Sequence, residues 1–260
     1  MKLCFSTLGC PDWDIIQVAE KGAAYGFDGV ELRISGNRHV DPALTKDERK
    51  KIKKMFAAHN LTIAIISGYT LFCGDDEILL KENEEALLKN IELAADLGAP
   101  YLRSFLGENG CFTEAGVETL RRACAKAYES GVTVLLEIHD ALKDGKMAAQ
   151  LVRQVNSLGL AVLWDIHHSL NNKEAPEETW RHAGKYIKHV HMKDADANDE
   201  ICLMGDGILV VRDVVQTLSA NGFDGFLSFE WEKTWIPKLQ EPEVALPGYV
   251  AHMKKLMGET

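Results

Sequence analysis

No stretch of this 260-residue chain approaches the ~18 consecutive apolar residues of a membrane span, so no transmembrane helix is expected. The opening MKLCFSTLGCPDWD has one lysine and too short an apolar stretch for a secretory signal, which makes a cytoplasmic protein the expectation. The cysteines Cys4, Cys10, Cys73, Cys111, Cys124 and Cys202 form no C-x-x-C pair and no zinc-ribbon spacing. They read as small hydrophobes in a reducing compartment, not as a disulfide framework. Basic charge is in deficit: 29 Lys and Arg against 39 Asp and Glu give −10, a surface that repels phosphate backbones and argues against a nucleic-acid partner. The turn after the first apolar run, Ser6-Thr7-Leu8-Gly9-Cys10-Pro11, is neither G-x-G-x-x-G nor a P-loop. Low-complexity stretches and Pro/Gly/Ser linkers are also missing, so one domain over residues 1–260 is expected.

What recurs instead is a short β-branched run, a polar loop and an amphipathic helix, eight times. The runs are Leu3–Thr7, Gly29–Arg33, Leu61–Ile66, Tyr101–Phe105, Val132–Glu137, Leu160–Asp165, Ile187–His191 and Gly225–Glu230. Helical patterns fall at about 12–25, 45–58, 81–97, 113–130, 145–157, 174–184, 209–220 and 245–257, with apolar residues at three- and four-residue spacing as in Ala86, Leu87, Ile91, Ala94 and Leu97. Gly or Asn marks several helix ends, as at Tyr25-Gly26 and Leu97-Gly98. Strict alternation requires a parallel sheet, and eight units match a closed (β/α)₈ TIM barrel, class α/β. The charge run Lys46–Lys54 (KDERKKIKK) reads as a solvated helix face, and Lys238–Pro247 as an ordered loop over one end of the barrel.

In such barrels chemistry sits at the C-terminal ends of the strands. The fifth run ends Leu135-Leu136-Glu137-Ile138-His139, the sixth Leu163-Trp164-Asp165-Ile166-His167-His168, the seventh His189-Val190-His191-Met192-Lys193-Asp194, and the eighth Ser228-Phe229-Glu230-Trp231-Glu232. An unpartnered charge at the edge of a core costs several kcal/mol, so four consecutive strands ending this way share a purpose. Three carboxylates converging with one imidazole repel one another unless a cation sits among them. A divalent ion held by Glu137, Asp165, His191 and Glu230 is the economical answer. An oxygen-rich set with one His suits Mn²⁺, Mg²⁺ or Co²⁺, with Zn²⁺ also possible. Taken alone, Asp165 could equally cap the segment that follows it.

From Leu3 to about Lys254 the chain resembles the xylose isomerase-like barrel superfamily, and within it the sugar phosphate isomerase/epimerase group. The resemblance rests on Val30-Glu31-Leu32, Arg103, Glu137 with His139, Asp165 with His168, His191-Met192-Lys193-Asp194, the Gly205-Asp206-Gly207 turn, and Phe223-Asp224-Gly225 followed by Ser228-Phe229-Glu230-Trp231-Glu232. It implies that Glu137, Asp165, His191 and Glu230 bind the metal. It also implies that Glu137 and Glu230 are catalytic bases on opposite faces of a small carbohydrate, working through an enediolate, and that His168 contacts substrate. Arg103, Lys193, His139 and Glu31 share the parity of barrel-facing positions and are candidate contacts to hydroxyls or a phosphate. Trp164, Trp231 and Trp235 read as rim packing, with Trp235 alternatively an apolar wall of the pocket.

The expected activity is therefore metal-dependent isomerisation or epimerisation of a sugar or sugar phosphate. A lyase or dehydratase acting on a keto-sugar or keto-inositol by the same proton abstraction is the alternative. Ketose 3-epimerases carry an acid six residues after the first metal Glu and an Arg six after the metal His; Lys143 and Ala197 stand there, which argues against a free-ketohexose 3-epimerase. A nuclease like endonuclease IV needs further histidines on earlier strands, and Ile65-Ile66-Ser67-Gly68-Tyr69 offers none. A non-catalytic sugar-binding barrel would need no pair of bases. Family members are often dimers or tetramers, so a homo-oligomer is the analogy.

Overall fold

A strand buried on both faces must present apolar residues to the helices outside and a packed interior within, and these runs do so by alternation. In the computed structural model, which describes residues 1–35, 39–107 and 113–258, the chain runs β1 (Lys2–Ser6), α1 (Ile15–Tyr25), β2 (Gly29–Arg33), α2 (Lys46–Ala58), β3 (Thr62–Leu71), α3 (Glu77–Leu97), β4 (Tyr101–Phe105), α4 (Glu114–Glu129), β5 (Thr133–Glu137) and α5 (Gly145–Val155). It continues with β6 (Leu160–Asp165), α6 (Ile166–Asn171), α7 (Pro176–Ala183), β7 (Ile187–Met192), β8 (Asp194–Ala195), β9 (Ile201–Cys202), α8 (Val211–Ala220), β10 (Phe226–Phe229) and α9 (Pro242–Met257). Eight strands form a closed barrel in the order β1-β10-β7-β6-β5-β4-β3-β2, and β1 pairs β2 to complete the ring. All the barrel pairings are parallel.

Alternate residues separate into two cores. Val134, Leu136, Val162, Trp164, Val190, Met192, Leu227 and Phe229 belong to the large outer core. Cys4, Ala64, Ile65, Leu135, Ala161, Leu163 and Phe226 form a smaller cluster. This smaller cluster is the apolar floor of the barrel interior. Each buried Leu or Phe contributes about 1.5–3 kcal/mol, so a charge at Leu163 would be expected to break the floor. Above the floor the inward positions turn polar.

Several boundaries differ from the sequence reading. β3 extends to Leu71, and α3 begins a turn early because Asp76 caps it at the Ile78 and Leu79 N–H groups. The helix expected at 174–184 is α7, which starts at Pro176, whose missing N–H suits a first turn; the short α6 before it, capped by Asp165, was not expected. The Lys238–Pro247 segment is a loop only as far as Glu241; Pro242 opens α9, which absorbs Pro247. Arg49, counted with a solvated face, is buried and bonds the Pro42 and Leu44 carbonyls and Asp96. The unforeseen β8–β9 ribbon follows β7. Beside it the Asp194 carboxylate accepts from the Gly205, Gly207 and Leu209 N–H groups, and a Cβ on Gly207 would stand 2.1 Å from Asp194 Oδ1. The described cysteines are free thiols, and Cys111 lies outside the described residues. No helix among the described residues is long and apolar enough to cross a membrane.

Candidate metal centre and its cavity

Four adjacent strand ends bring the expected set together. Glu137 ends β5, Asp165 ends β6, His191 lies in β7, and Glu230 follows β10 directly. The pairing register places Asp165 opposite His191 and Ser228 opposite His191, so these side chains share one inward layer. One ligand atom from each of Glu137, Asp165, His191 and Glu230 falls within 4.8 Å of all the others, and all four residues are buried. His191 Nδ1 lies 2.8 Å from Glu137 Oε1, 3.3 Å from Glu230 Oε2 and 3.9 Å from Asp165 Oδ2.

Two cations brace this cluster. Arg103 Nη1 spans Glu230 Oε1 at 3.0 Å and Glu137 Oε2 at 3.3 Å. Lys193 Nζ lies 2.9 Å from Asp165 Oδ2 and 2.6 Å from both Glu230 Oε2 and Glu232 Oε1. Burial alone would raise the carboxylate pKa values, but these neighbours outweigh it. Lys193 is the first of them at Asp165, which is held at about 2, and His191 the first at Glu230, which is held well below the usual range. Burial opposes charge on His191 as well, yet Glu230, Glu31 and Glu137 lift its pKa well above the ordinary imidazole value.

A second acidic group lies beneath His191. Glu31 Oε2 is 2.9 Å from His191 Nε2, 3.2 Å from His189 Nε2 and 3.0 Å from Ser228 Oγ, while Glu31 Oε1 accepts from Ser67 Oγ. The histidines, His191 foremost, overcome burial and keep Glu31 ionised. An ionised carboxylate only accepts, so both Nε2 atoms must carry hydrogen. His191 therefore turns Nδ1 toward the three upper carboxylates.

The residues fit a divalent ion on three counts. Glu137 Oε2 and Asp165 Oδ2 are buried and accept no well-directed hydrogen bond, being met only by the Arg103 and Lys193 charges at 3.3 and 2.9 Å, although buried acceptors are normally satisfied. Four buried carboxyl side chains (Glu31, Glu137, Asp165 and Glu230) outnumber the two fixed buried cations, Arg103 and Lys193. The donor set is three oxygens and one nitrogen, suited to hard or borderline ions. Asp165 does both things considered for it: Oδ1 caps α6 at the His167 N–H, 2.9 Å away, and Oδ2 faces the cluster.

Above the cluster opens a cavity of about 570 Å³ lined by Glu137, Glu230, Arg103, Lys193, His139 and Trp235 among others, with Asp165 and His191 deeper in the wall. Trp235 is 59% exposed and stacks on Arg33, whereas Trp164 and Trp231 are buried packing residues. His139 meets His168 ring to ring at 4.0 Å. His168 lines a neighbouring cavity of about 430 Å³ that shares His139 and Glu232 with the first. Glu31, expected among the substrate contacts, is corrected by its position: it is fully buried under His191 and lines neither cavity. Lys143 and Ala197 are exposed. His189, Ser67 and Ser228 went unassigned in the sequence, yet His189 and Ser228 stand two residues before His191 and Glu230. The two-residue period of a strand would have put them on the same face.

A family profile described as xylose isomerase-like TIM barrel matches residues 19–255, and the chain belongs to that family. Among curated proteins, the uncharacterized protein YihM of Escherichia coli (strain K12) is 24% identical over 145 residues, 46% of this chain and 44% of that protein; the chain thus spans less than half of that relative's length. D-psicose 3-epimerase from Clostridium cellulolyticum H10, solved with D-tagatose, superposes with a TM-score of 0.82 at 17% identity, covering 100% of both chains. The IOLI protein with a binding zinc atom gives 0.80 at 18% identity, covering 98% of each. The probable 3-DHS dehydratase AsbF from Bacillus anthracis gives 0.77 at 17% identity, covering 97% of this chain and 99% of that one. At these identities the likeness is one of fold.

Proposed function

We propose that the chain is a divalent-metal-dependent isomerase or epimerase of a sugar or sugar phosphate, with Glu137 and Glu230 as its proton-transfer bases. One observation carries the reading: Glu137, Asp165, His191 and Glu230 converge within 4.8 Å at the floor of a cavity that Glu137 and Glu230 also line. Likeness of fold to a sugar 3-epimerase supports the substrate class, and likeness to a zinc-bound barrel supports the metal.

A divalent ion held by those four residues would supply Lewis acidity, lowering the cost of negative charge developing on a substrate carbonyl. The rest is the work of the chain. Glu137 and Glu230 belong to strands separated by β6 and β7, so they address the cavity from different sides. One carboxylate removes the proton from the carbon beside a carbonyl; the other returns it, to the opposite face in epimerisation. Arg103, bonded to both, fixes their spacing, and Lys193 ties Glu230 to Asp165 and Glu232. His139 borders the space where hydroxyls would lie.

The test is a panel of ketoses, their phosphates and keto-inositols assayed with Mn²⁺ in D₂O. The reading requires about one divalent ion per chain and deuterium gained on carbon. Full activity in excess chelator removes the metal from the reaction. A dehydrated product would instead assign the same bases to a lyase, the reading favoured by the likeness to the probable dehydratase.

A further inference from the structure

The cavity has two unlike halves. In ring order β10-β7-β6-β5 carries the carboxylates, while β4-β3-β2-β1 makes the opposite side. There the lining is Leu8, Tyr69, Leu71, Leu79, Phe105 and, from the loop after β10, Trp235. These six come from separate places: the turn after β1, the end of β3, the first turn of α3, the end of β4 and the last loop. Convergence from five segments is not an accident of one amphipathic helix.

Four of them are open to solvent: Tyr69 at 41%, Leu71 at 38%, Leu79 at 46% and Trp235 at 59%. Large apolar side chains gathered in a concave, solvent-open wall mark a binding surface, because water gains nothing by covering them. The chemistry of the wall says what would cover it. Among the described residues its polar groups are the Cys73 thiol, the Tyr69 hydroxyl, the Trp235 indole N–H and, at its edge, the Arg103 guanidinium, few for a polyol. Tyr69 and Phe105 stack with ring centres 6.2 Å apart, and the Arg103 guanidinium caps both rings at 5.1 and 4.6 Å. Arg103 thus joins the aromatic wall to Glu137 and Glu230.

Resting on the function proposed above, we propose that the substrate is a sugar bearing an aromatic substituent, its polar ring at the carboxylate half and its aryl group against Tyr69, Phe105, Leu71, Leu79 and Trp235. Aromatic faces prefer offset or edge contacts with other rings, and three rings border this space.

The experiment compares phenyl β-D-glucopyranoside with methyl β-D-glucopyranoside on the Mn²⁺-loaded protein, by calorimetry and by tryptophan fluorescence. The phenyl compound is expected to bind at least about tenfold tighter, as burial of a ring predicts. Leu79→Glu, a substitution at an exposed helical position, and Tyr69→Ser should each cut that preference to about threefold or less. Equal affinity for the two glycosides, binding of neither, or a preference unchanged in both variants overturns the inference. Divalent-ion content is measured on the same samples. Protein that retains no ion defeats the proposed metal chemistry, whereas metal-loaded protein without phenyl preference defeats only the aryl subsite.

Discussion

Below His191, the Glu31 carboxylate receives donors from His191, His189, Ser228 and Ser67; above it, Glu137 Oε2 and Asp165 Oδ2 accept no well-directed hydrogen bond and face only the Arg103 and Lys193 charges. Both clusters are buried, both contain carboxylate, and they share one imidazole. A buried acceptor without a well-directed donor is under-satisfied, so the upper cluster carries a cost that the lower one avoids. The difference separates support from site. A saturated carboxylate has no capacity left for a ligand and can only orient its neighbours, while an under-bonded one is poised to take a cation.

The comparison is broken most severely from above. Glu137→Gln or Glu230→Gln keeps the shape of the side chain but removes a base and one charged ligand. Turnover should fall at least about 100-fold, the usual contribution of a positioned acid or base, with an unchanged far-UV spectrum. If either variant keeps more than about a third of wild-type turnover on the identified substrate, that residue is not a base, since proton transfer alone is worth more.

From below, the expected loss is in metal binding. Glu31→Gln can present an N–H to His191 Nε2, which would move the ring proton to Nδ1 and aim it at the cation site. Support of this kind is typically worth about 10–100-fold in metal affinity. Calorimetric titration with Mn²⁺ or Zn²⁺ measures the loss, and ¹⁵N shifts of the imidazoles in the metal-free protein report the tautomer. Unchanged affinity with an unchanged tautomer would reduce Glu31 to an ordinary buried acid.

The upper cluster was legible because its signal is local. A charged residue closing an apolar run is visible in one strand, and Glu137, Asp165, His191 and Glu230 each show it. The barrel was legible for the same reason, since period and alternation are properties of short segments. Glu31 was read one level wrong: its inward parity is correct, but its depth depends on the stagger between β2 and β7, which no single strand records. Arg49 misled similarly, because a helical charge run does not reveal that Pro42 and Leu44 offer carbonyls beside it. The apolar wall was illegible apart from Trp235, as its residues meet only when the barrel closes.

A milder perturbation is the proton. In the metal-free fold His191 holds its proton above the ordinary imidazole pKa, because Glu230, Glu31 and Glu137 outweigh the burial that opposes it. A metal must displace that proton from Nδ1, so affinity rises with pH up to the raised value and levels off beyond it. Below that value each unit of falling pH should weaken binding about tenfold, one proton per ion. Calorimetry in buffers of different ionisation enthalpy counts the protons released. A pH-independent constant with no release would mean that His191 is not a ligand.

The smallest effect should come from Ser228→Ala, and it tests whether the lower cluster is support by parts or as a unit. The substitution removes one of the donors to Glu31 Oε2 and leaves the histidine links in place. A hydrogen bond to a charged group is worth about 1.5–3 kcal/mol, so chemical denaturation should show a loss of stability of about that size. Metal affinity should change less than about threefold, because His191 still donates to Glu31 and its Nδ1 still faces the carboxylates. If instead Ser228→Ala lowers affinity as far as Glu31→Gln does, the hydroxyl and the carboxylate act as one device, and the support reaches from β2 past β1 to β10.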